Sequence, residues 1–429
     1  MVLIHVNKIT PRITYSFKHI CTHILGFEIG FTNDIKEFIS YDGAKFSYGK
    51  ERLGNEIFVQ NVNLLYEQGV NDLEIKIHDW DGLPCFFPVH ESSSLPFDIF
   101  AASFYLLSRY EEYLPHVKDV EGRFPAMESI AYTGKFLEKP VVDIWALKFK
   151  SILGARFSSI KFNNRRYGCN NLITVSEIFQ YRKKGLIRIF GDLVQNLATL
   201  KFSELKKAFL IHLNLQNDPF NTFDELLEFH KKSAIKLHFM FQLSDFSTFD
   251  KNINHNRKFY RMLIKSVGDY GKVGLRLGFF AMDSLKVLKM EKRRLESIIN
   301  RPVESAINAK YNLLLPDTYS NMVELEIKED FSMGYPETIG FRAGTCSPFM
   351  FYDLNFEITT PLLVNPYMFS TKAPLLEDFP LFTSKVEQMV SEVKAVDGTF
   401  CGIFSNKDFA SENKKERMFS LIEKINERD

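Results

Sequence analysis

The pattern of apolar and polar positions changes character near residue 168, and the two stretches on either side predict different architectures. The first has short alternating runs, Val2-Leu3-Ile4-His5-Val6 and Ile13-Thr14-Tyr15-Ser16-Phe17, that suit either strands or short helices. Residues 35–49 (IKEFISYDGAKFSYG) and 56–59 (EIFV) predict strand–turn–strand material with Asp42-Gly43 as the turn. The patch His78-Asp79-Trp80-Asp81-Gly82 predicts a polar loop, its three potential ligands too tightly packed for a metal site. LPFDIFAASFYLLSRYEEYLP, residues 95–115, predicts a buried helix. Asp98 can cap it, Phe100, Phe104, Leu107 and Tyr110 recur at helical spacing, and Pro115 ends it. Arg109, Glu111 and Glu112 would then form a functional triad, solvate the helix end or bridge domains. A second helix is expected from about Pro140 to Leu153. The polar run Asn163-Asn164-Arg165-Arg166 is the expected boundary, giving domains 1–165 and 166–429.

Beyond it, strand-like and helix-like segments alternate. Strands are expected over 169–176, 237–243, 273–279 and 399–404. Helices are expected over 186–200, 204–213, 284–299 and 316–328, with another after Ser411. Thr222-Phe223-Asp224-Glu225 reads as a capping box opening one more. Repeated β–α units imply parallel strands, and a barrel or barrel-like sheet closes them economically. Residues 335–354 (YPETIGFRAGTCSPFMFYDL) cannot be a helix; they predict a strand end running into an ordered loop. Its lone Arg342 either lines a site or ties two loops together through backbone hydrogen bonds.

Composition narrows the function classes. With 54 basic against 53 acidic residues, the net charge of +1 argues against nucleic acid as the main partner. The 42 phenylalanines and 17 tyrosines are a large aromatic complement, most of it expected in the core, although ring faces also bind sugars. Five dispersed cysteines, at 21, 85, 169, 346 and 401, fit neither a disulfide framework nor a zinc site. The first residues show no signal-peptide pattern and no segment has the apolar length of a membrane span, so the cytoplasm is expected.

Several of these segments resemble one family. The second half is similar to the polysaccharide deacetylases, carbohydrate esterase family four, with their chitooligosaccharide-deacetylase homology domain. YRKKGLIRIFGDL, DPFNTFDELLEFH, EDFSMGY and GFRAGTCSPFMFYDL resemble its scaffold motifs. LPFDIFAASFYLLSRYEEYLP resembles the hallmark of an extra N-terminal module found in a subgroup associated with exopolysaccharide clusters of Bacteroidetes-type bacteria. The resemblance implies an α/β fold, a distorted (β/α) barrel preceded by a smaller α+β domain. It also implies removal of acetyl groups from sugars by an Asp-His-His zinc site with an Asp base and a late His acid.

The sequence departs from that implied site at each position. The Asp-x-Asp pair falls on Thr174 and Ser176, and the metal histidine of the third motif on Arg276. The Arg-Gln-His element falls on Ile307, Asn308 and Ala309, and the closing Trp-His-Asn element on Phe404, Ser405 and Asn406. No histidine follows His255. The expectation is a homologue with no catalytic or metal residues and no cofactor, zinc being the family's metal. Arg342, Arg276, Thr174, Ser176, Ser405 and Asn406 would contact a saccharide or cell-surface glycan precursor. Arg276 and Arg342 would make a weakly basic cleft for an anionic sugar, or Arg276 would pair with an acid such as Asp330 or Glu329. An active deacetylase paralogue or a polysaccharide-assembly protein is the expected protein partner, unless the N-terminal module serves as a dimer face. The alternative is an active hydrolase with a relocated site drawn from His212, His230, His238, Asp218 and Glu177. Cys346 is a further candidate nucleophile, set against a packing role.

Overall fold

The computed structural model describes residues 1–182, 206, 208–211, 213, 215–308 and 313–427. The helix expected over 186–200, the start of that over 204–213, His212 and Ala309 lie outside the described residues. The chain divides into two compact units. One joins Met1–Cys169 to Tyr311–Cys401; the other joins Asn170–Lys310 to Gly402–Asp429. The first unit thus takes in a stretch that lies far beyond the boundary expected at 163–166.

The first unit opens with a sheet of β1 (Val2–Val6), β2 (Ile29–Thr32), β3 (Lys45–Gly49) and β4 (Ile57–Gln60), in the order β2-β1-β3-β4. Every pairing in it is parallel. Parallel sheets are covered on both faces, which is why VLIHV in β1 is buried at all five positions. Helix α1 (Pro11–Phe17) is capped by Thr10, whose side chain accepts from Ile13 N.

The expected strand over 35–40 is instead helix α2 (Ile35–Ser40), so the Asp42-Gly43 hairpin does not form. Strands β2 and β3 lie on either side of β1 and both run parallel to it, so the chain between them must cross over, and Asp34, accepting from Lys36 N at 2.8 Å, starts a helix there. The loop expected at 78–82 is a hairpin, β5 (His78–Trp80) with β6 (Leu83–Cys85). Its turn is Asp81-Gly82, at φ +51° and +78°. Positive φ at both central residues is the turn geometry that matches strand twist, and Asp-Gly supplies it.

Helix α3 (Ile99–Leu107) is buried at every position. Asp98 accepts from Phe100 N and Ala101 N, from Val62 N at 2.8 Å and from the Tyr48 hydroxyl at 2.7 Å. Burial pushes its carboxyl up to about 6 despite these donors. Asp98→Ala strands them all, so urea denaturation should show a loss of about 1–3 kcal/mol, with Asp98→Asn losing less. The helix ends before Arg109, which is left-handed at φ +55°. Two more helices follow, α4 (Ile130–Thr133) and α5 (Val141–Arg156).

In the second unit, β7 (Gly168–Val175), β8 (Leu237–Gln242), β9 (Lys272–Arg276) and β10 (Ser305–Ile307) pair in parallel as neighbours. They alternate with α6 (Phe223–Lys232), α7 (Lys258–Tyr270) and α8 (Leu285–Ile299). The first unit resumes with α9 (Asp317–Glu324) and β11 (Glu329–Asp330), which runs parallel to β13 (Ile358–Val364). The antiparallel partner of β13 is β12 (Phe349–Asp353). Between β11 and β12 no regular element interrupts residues 331–348, as their prolines and glycines predict. Strand β14 (Phe369–Ser370), α10 (Phe379–Ala395), β15 (Thr399–Ser405) and α11 (Glu412–Asn426) complete the chain.

The fold is mixed α/β with parallel sheets, but the expected closed barrel does not form among the described residues. In the second unit the strands run β10-β9-β8-β7-β15, and β10 and β15 do not pair with each other. Among the described residues, no helix is long and apolar enough to cross a membrane.

Candidate functional site

Parallel strands bring all their carboxyl ends to one edge, the usual location of ligand sites in such sheets. In the second unit that edge carries Ser176 just after β7, Gln242 ending β8, Arg276 ending β9, Asn308 after β10, and Ser405-Asn406 at the end of β15. Thr174, Ser176, Ser405 and Asn406 come together because β7 and β15 are neighbours. Their polar groups bond mainly to the surrounding backbone rather than to one another. Thr174 Oγ1 donates to Phe404 O at 2.9 Å. Asn406 Nδ2 donates to Glu177 O at 2.9 Å and Phe220 O at 3.1 Å. Ser405 forms a capping box with Asp408, whose carboxylate accepts from Ser405 N at 2.7 Å. Ser176 and Ser405 are half-buried, whereas Thr174 and Asn406 are fully buried. Thr222 does not cap α6 as its motif suggests, since its hydroxyl donates to Asn406 O at 3.2 Å.

Arg276 lies two strands from β7, with Nη1 donating to Gln242 Oε1 at 2.5 Å. Gln242 Nε2 in turn donates to Asp250 Oδ1 at 2.6 Å and Ser244 Oγ at 3.0 Å. Asp250 Oδ2 accepts from Phe279 N, and Glu291 Oε2 accepts from Gly278 N, both at 2.8 Å. A Cβ on Gly278 would lie 2.5 Å from both Glu291 Oε1 and Ser244 Cβ, so the network closes only around a glycine. Glu291 is 1% exposed. Burial, reinforced by the nearby Asp250, pushes its carboxyl up to about 8.

Sequence reasoning missed Gln242, Asp250 and Glu291. One signal was present: Leu288, Glu291, Leu295 and Ile298 share the helical spacing of a buried stripe. Beside this network, Phe249 stacks on Phe279 at 4.0 Å and meets Phe280 edge-on at 5.9 Å. Phe246, Phe249 and Phe280 are exposed.

The donor set does not fit the zinc that the resemblance implies. Hydroxyls, amides and a guanidinium occupy the positions where imidazoles and carboxylates would bind it. His238 lies at the amino end of β8, in register with Lys272, and bonds to Ser305 Oγ at 3.0 Å. Burial, then Lys272, pushes its pKa down to about 3, so it is neutral. His230 contacts the carbonyls of Ile235 and Tyr270, and Asp218 accepts from Gln180, Tyr181, Arg182 and Phe220 backbone N–H groups. Glu177 pairs with Lys407 at 2.7 Å. Among the described residues no three His, Cys, Asp or Glu side chains converge to hold a metal.

The first unit holds the other candidate, Arg342, which is 1% exposed. Its Nε and Nη2 grip Glu112 at 2.9 and 2.6 Å, and Nη1 donates to Gly334 O. Arg109 reaches Glu112 at 2.7 Å and Glu111 at 2.8 Å, and donates to Arg342 O. Burial alone would raise Glu112, but Arg342 and Arg109 outweigh it and hold the carboxyl below its usual range. So Arg109, Glu111 and Glu112 do not solvate the helix end: with Arg342 they form a buried, charge-balanced quartet of two arginines and two glutamates. Over it opens a cleft of about 350 Å³ lined by Phe124, Tyr132, Tyr335, Pro336 and Arg342 among others.

Cys346 adjoins a second buried knot. Asp143 accepts from Thr345 Oγ1 at 2.6 Å, Cys346 N at 3.0 Å and Ser347 Oγ, and pairs with Arg165 at 3.3 Å. Burial, then Asp143, pushes the Cys346 thiol well up, which keeps it protonated and inert.

Residues 2–158 match a family of unknown function (DUF7033). No curated protein matches the chain. Solved structures similar to it include a protein assigned as a polysaccharide deacetylase from Mycobacterium smegmatis, with a TM-score of 0.38 and 8% identity over 62% of this chain and 85% of that one. A polysaccharide deacetylase from Bacillus cereus has a TM-score of 0.31 and 10% identity, covering 60% of this chain and 88% of that one. A CE4 family pseudoenzyme from Bacillus anthracis has a TM-score of 0.30 and 10% identity, covering 61% of each chain. At TM-scores below 0.5 these likenesses carry no weight in assigning the site.

Proposed function

We propose that this chain is a deacetylase-like protein of cell-surface polysaccharide metabolism that binds saccharide without hydrolysing it. One observation supports the loss of hydrolysis above the rest. At the carboxyl edge of the parallel strands, Thr174, Ser176, Gln242, Arg276, Ser405 and Asn406 supply no carboxylate base and no imidazole. The nearby carboxylates, Asp250 and Glu291, accept hydrogen bonds from backbone N–H groups. Metal-assisted deacetylation needs several protein ligands plus a base to generate hydroxide. Hydroxyls and amides can hold a sugar but cannot activate water. Such a protein would act with an active deacetylase or an assembly protein as partner, and we place it in the cytoplasm.

The test pairs two measurements on the whole chain: metal content after zinc incubation and dialysis, and acetate release from acetylated amino-sugar oligomers. The expected result is no stoichiometric zinc and no acetate. Bound zinc with acetate release would overturn the reading and direct the search for ligands to His212, His230, His238, Asp218 and Glu177.

A further inference from the structure

We propose that the saccharide site is the cleft of the first unit, and that its occupant is a neutral sugar residue rather than an anionic one. This rests on the saccharide half of the proposed function and assigns it a place and a ligand class.

The cleft of about 350 Å³ falls within the range of about 300–1,000 Å³ typical of small-molecule sites. Its aromatic residues differ in exposure. Phe124 and Tyr335 are buried, while Tyr132, on α4, is 51% exposed and offers a ring. The backbone under that ring is tied at two points. Ser129 caps α4 by accepting from Tyr132 N, and Glu111 Oε2 accepts from Ile130 N at 2.8 Å, which anchors the helix to the arginine–glutamate quartet. Apolar Met127 and Val117 are 64% and 71% exposed on the neighbouring loop, more apolar surface than a sealed loop presents.

The charges decide the ligand class. Lys118, Arg123 and Arg342 line the cleft, but so do Asp119, Glu128 and Glu337. Arg342 is matched from below by Glu112 at 2.6 Å, and Arg123 by Asp119 at 2.7 Å and Glu337 at 2.8 Å. An anionic sugar would meet rim carboxylates without a surplus cation to offset them. A neutral sugar fits better, because each hydroxyl both donates and accepts. Glu128 and Glu337 take its donors, Lys118 serves its acceptors, and Tyr132 covers its C–H face. The polar strand edge of the second unit competes poorly, since Thr174 and Asn406 already donate to backbone carbonyls, Ser405 caps the turn that follows it, and Arg276 donates to Gln242.

Isothermal titration of the full chain with chitotetraose, cellotetraose and tetragalacturonate tests this. The expected result is binding of a neutral oligomer, weakened about tenfold or more by Tyr132→Ala and kept in Phe280→Ala. Circular dichroism checks that both variants are folded. If Phe280→Ala abolishes binding and Tyr132→Ala does not, this assignment falls while saccharide binding stands. Preference for tetragalacturonate overturns the neutral class. Failure of all three oligomers to bind the wild-type protein overturns this inference and the saccharide reading together.

Discussion

Replacing Glu112 with alanine is expected to destabilise the first unit by about 3–5 kcal/mol, because it leaves two buried guanidiniums with one remaining carboxylate. Arg109 and Arg342 are each 1% exposed, so water cannot take over the role of Glu112. The readout is built in. Both tryptophans, Trp80 and Trp145, belong to the first unit, and Trp145 is buried with its ring N–H donating to Pro84 O. Tryptophan emission during urea unfolding therefore follows that unit. Glu337→Ala is the control: its carboxylate also pairs with an arginine but is 62% exposed, so removing it should change stability by less than about 1 kcal/mol. A loss in Glu112→Ala no larger than in the control would show that the quartet contributes nothing.

Glu291→Gln should remove a pH dependence from the second unit. The carboxyl has a folded value of about 8 against an ordinary 4.5, so folding favours its protonated form. Its contribution to stability is then complete below about pH 4.5 and lost progressively up to about pH 8, at roughly 1.4 kcal/mol per pH unit. The difference in stability between wild type and Glu291→Gln should therefore fall by up to about 5 kcal/mol across that window. Taking the difference matters, because Asp98 and Asp330, both raised to about 6, lean the same way. Glu112 and Glu357, held low by arginines, lean the other way. The second unit has no tryptophan, so far-ultraviolet circular dichroism is the suitable probe. A difference that stays flat from pH 5 to 9 would show that Glu291 ionises normally.

Much of the fold was legible because local pattern and tertiary environment agree. Asp98 caps α3, Ser284 caps α8, and the runs at 237–242 and 399–405 are buried strands, each with a short-range cause. Failures came where a partner far away in sequence decided the outcome. IKEFIS alternates well enough for a strand, but it joins β2 to β3, parallel strands on opposite sides of β1, and that connection must cross over. Thr222 has the composition of a cap and spends its hydroxyl on Asn406, 184 residues later. Sheet closure depends on which strands meet, and no local period encodes that.

The candidate site was legible by residue type more than by geometry. The absence of histidine beyond His255 was certain from the sequence, whereas the partners of the surviving polar groups were not. Arg342 was recognisable as a committed arginine. That it would be matched by Glu112, which turns an expected basic cleft into a balanced one, depends on a contact spanning 230 residues.

That span has a temporal consequence. A ribosome adding about 5–20 residues per second delivers Arg342 roughly 10–50 s after Glu112. Until then the nascent chain has Arg109 to offset two glutamates, and Asp143 has Arg165 but neither Thr345 nor Ser347. Arg12 likewise lacks Glu357. A chain ended at residue 158 would hold all three incomplete clusters permanently. The stretch that sequence comparison treats as a module is thus, for folding, an unfinished half. It waits on the ribosome until residues 170–310 have been made.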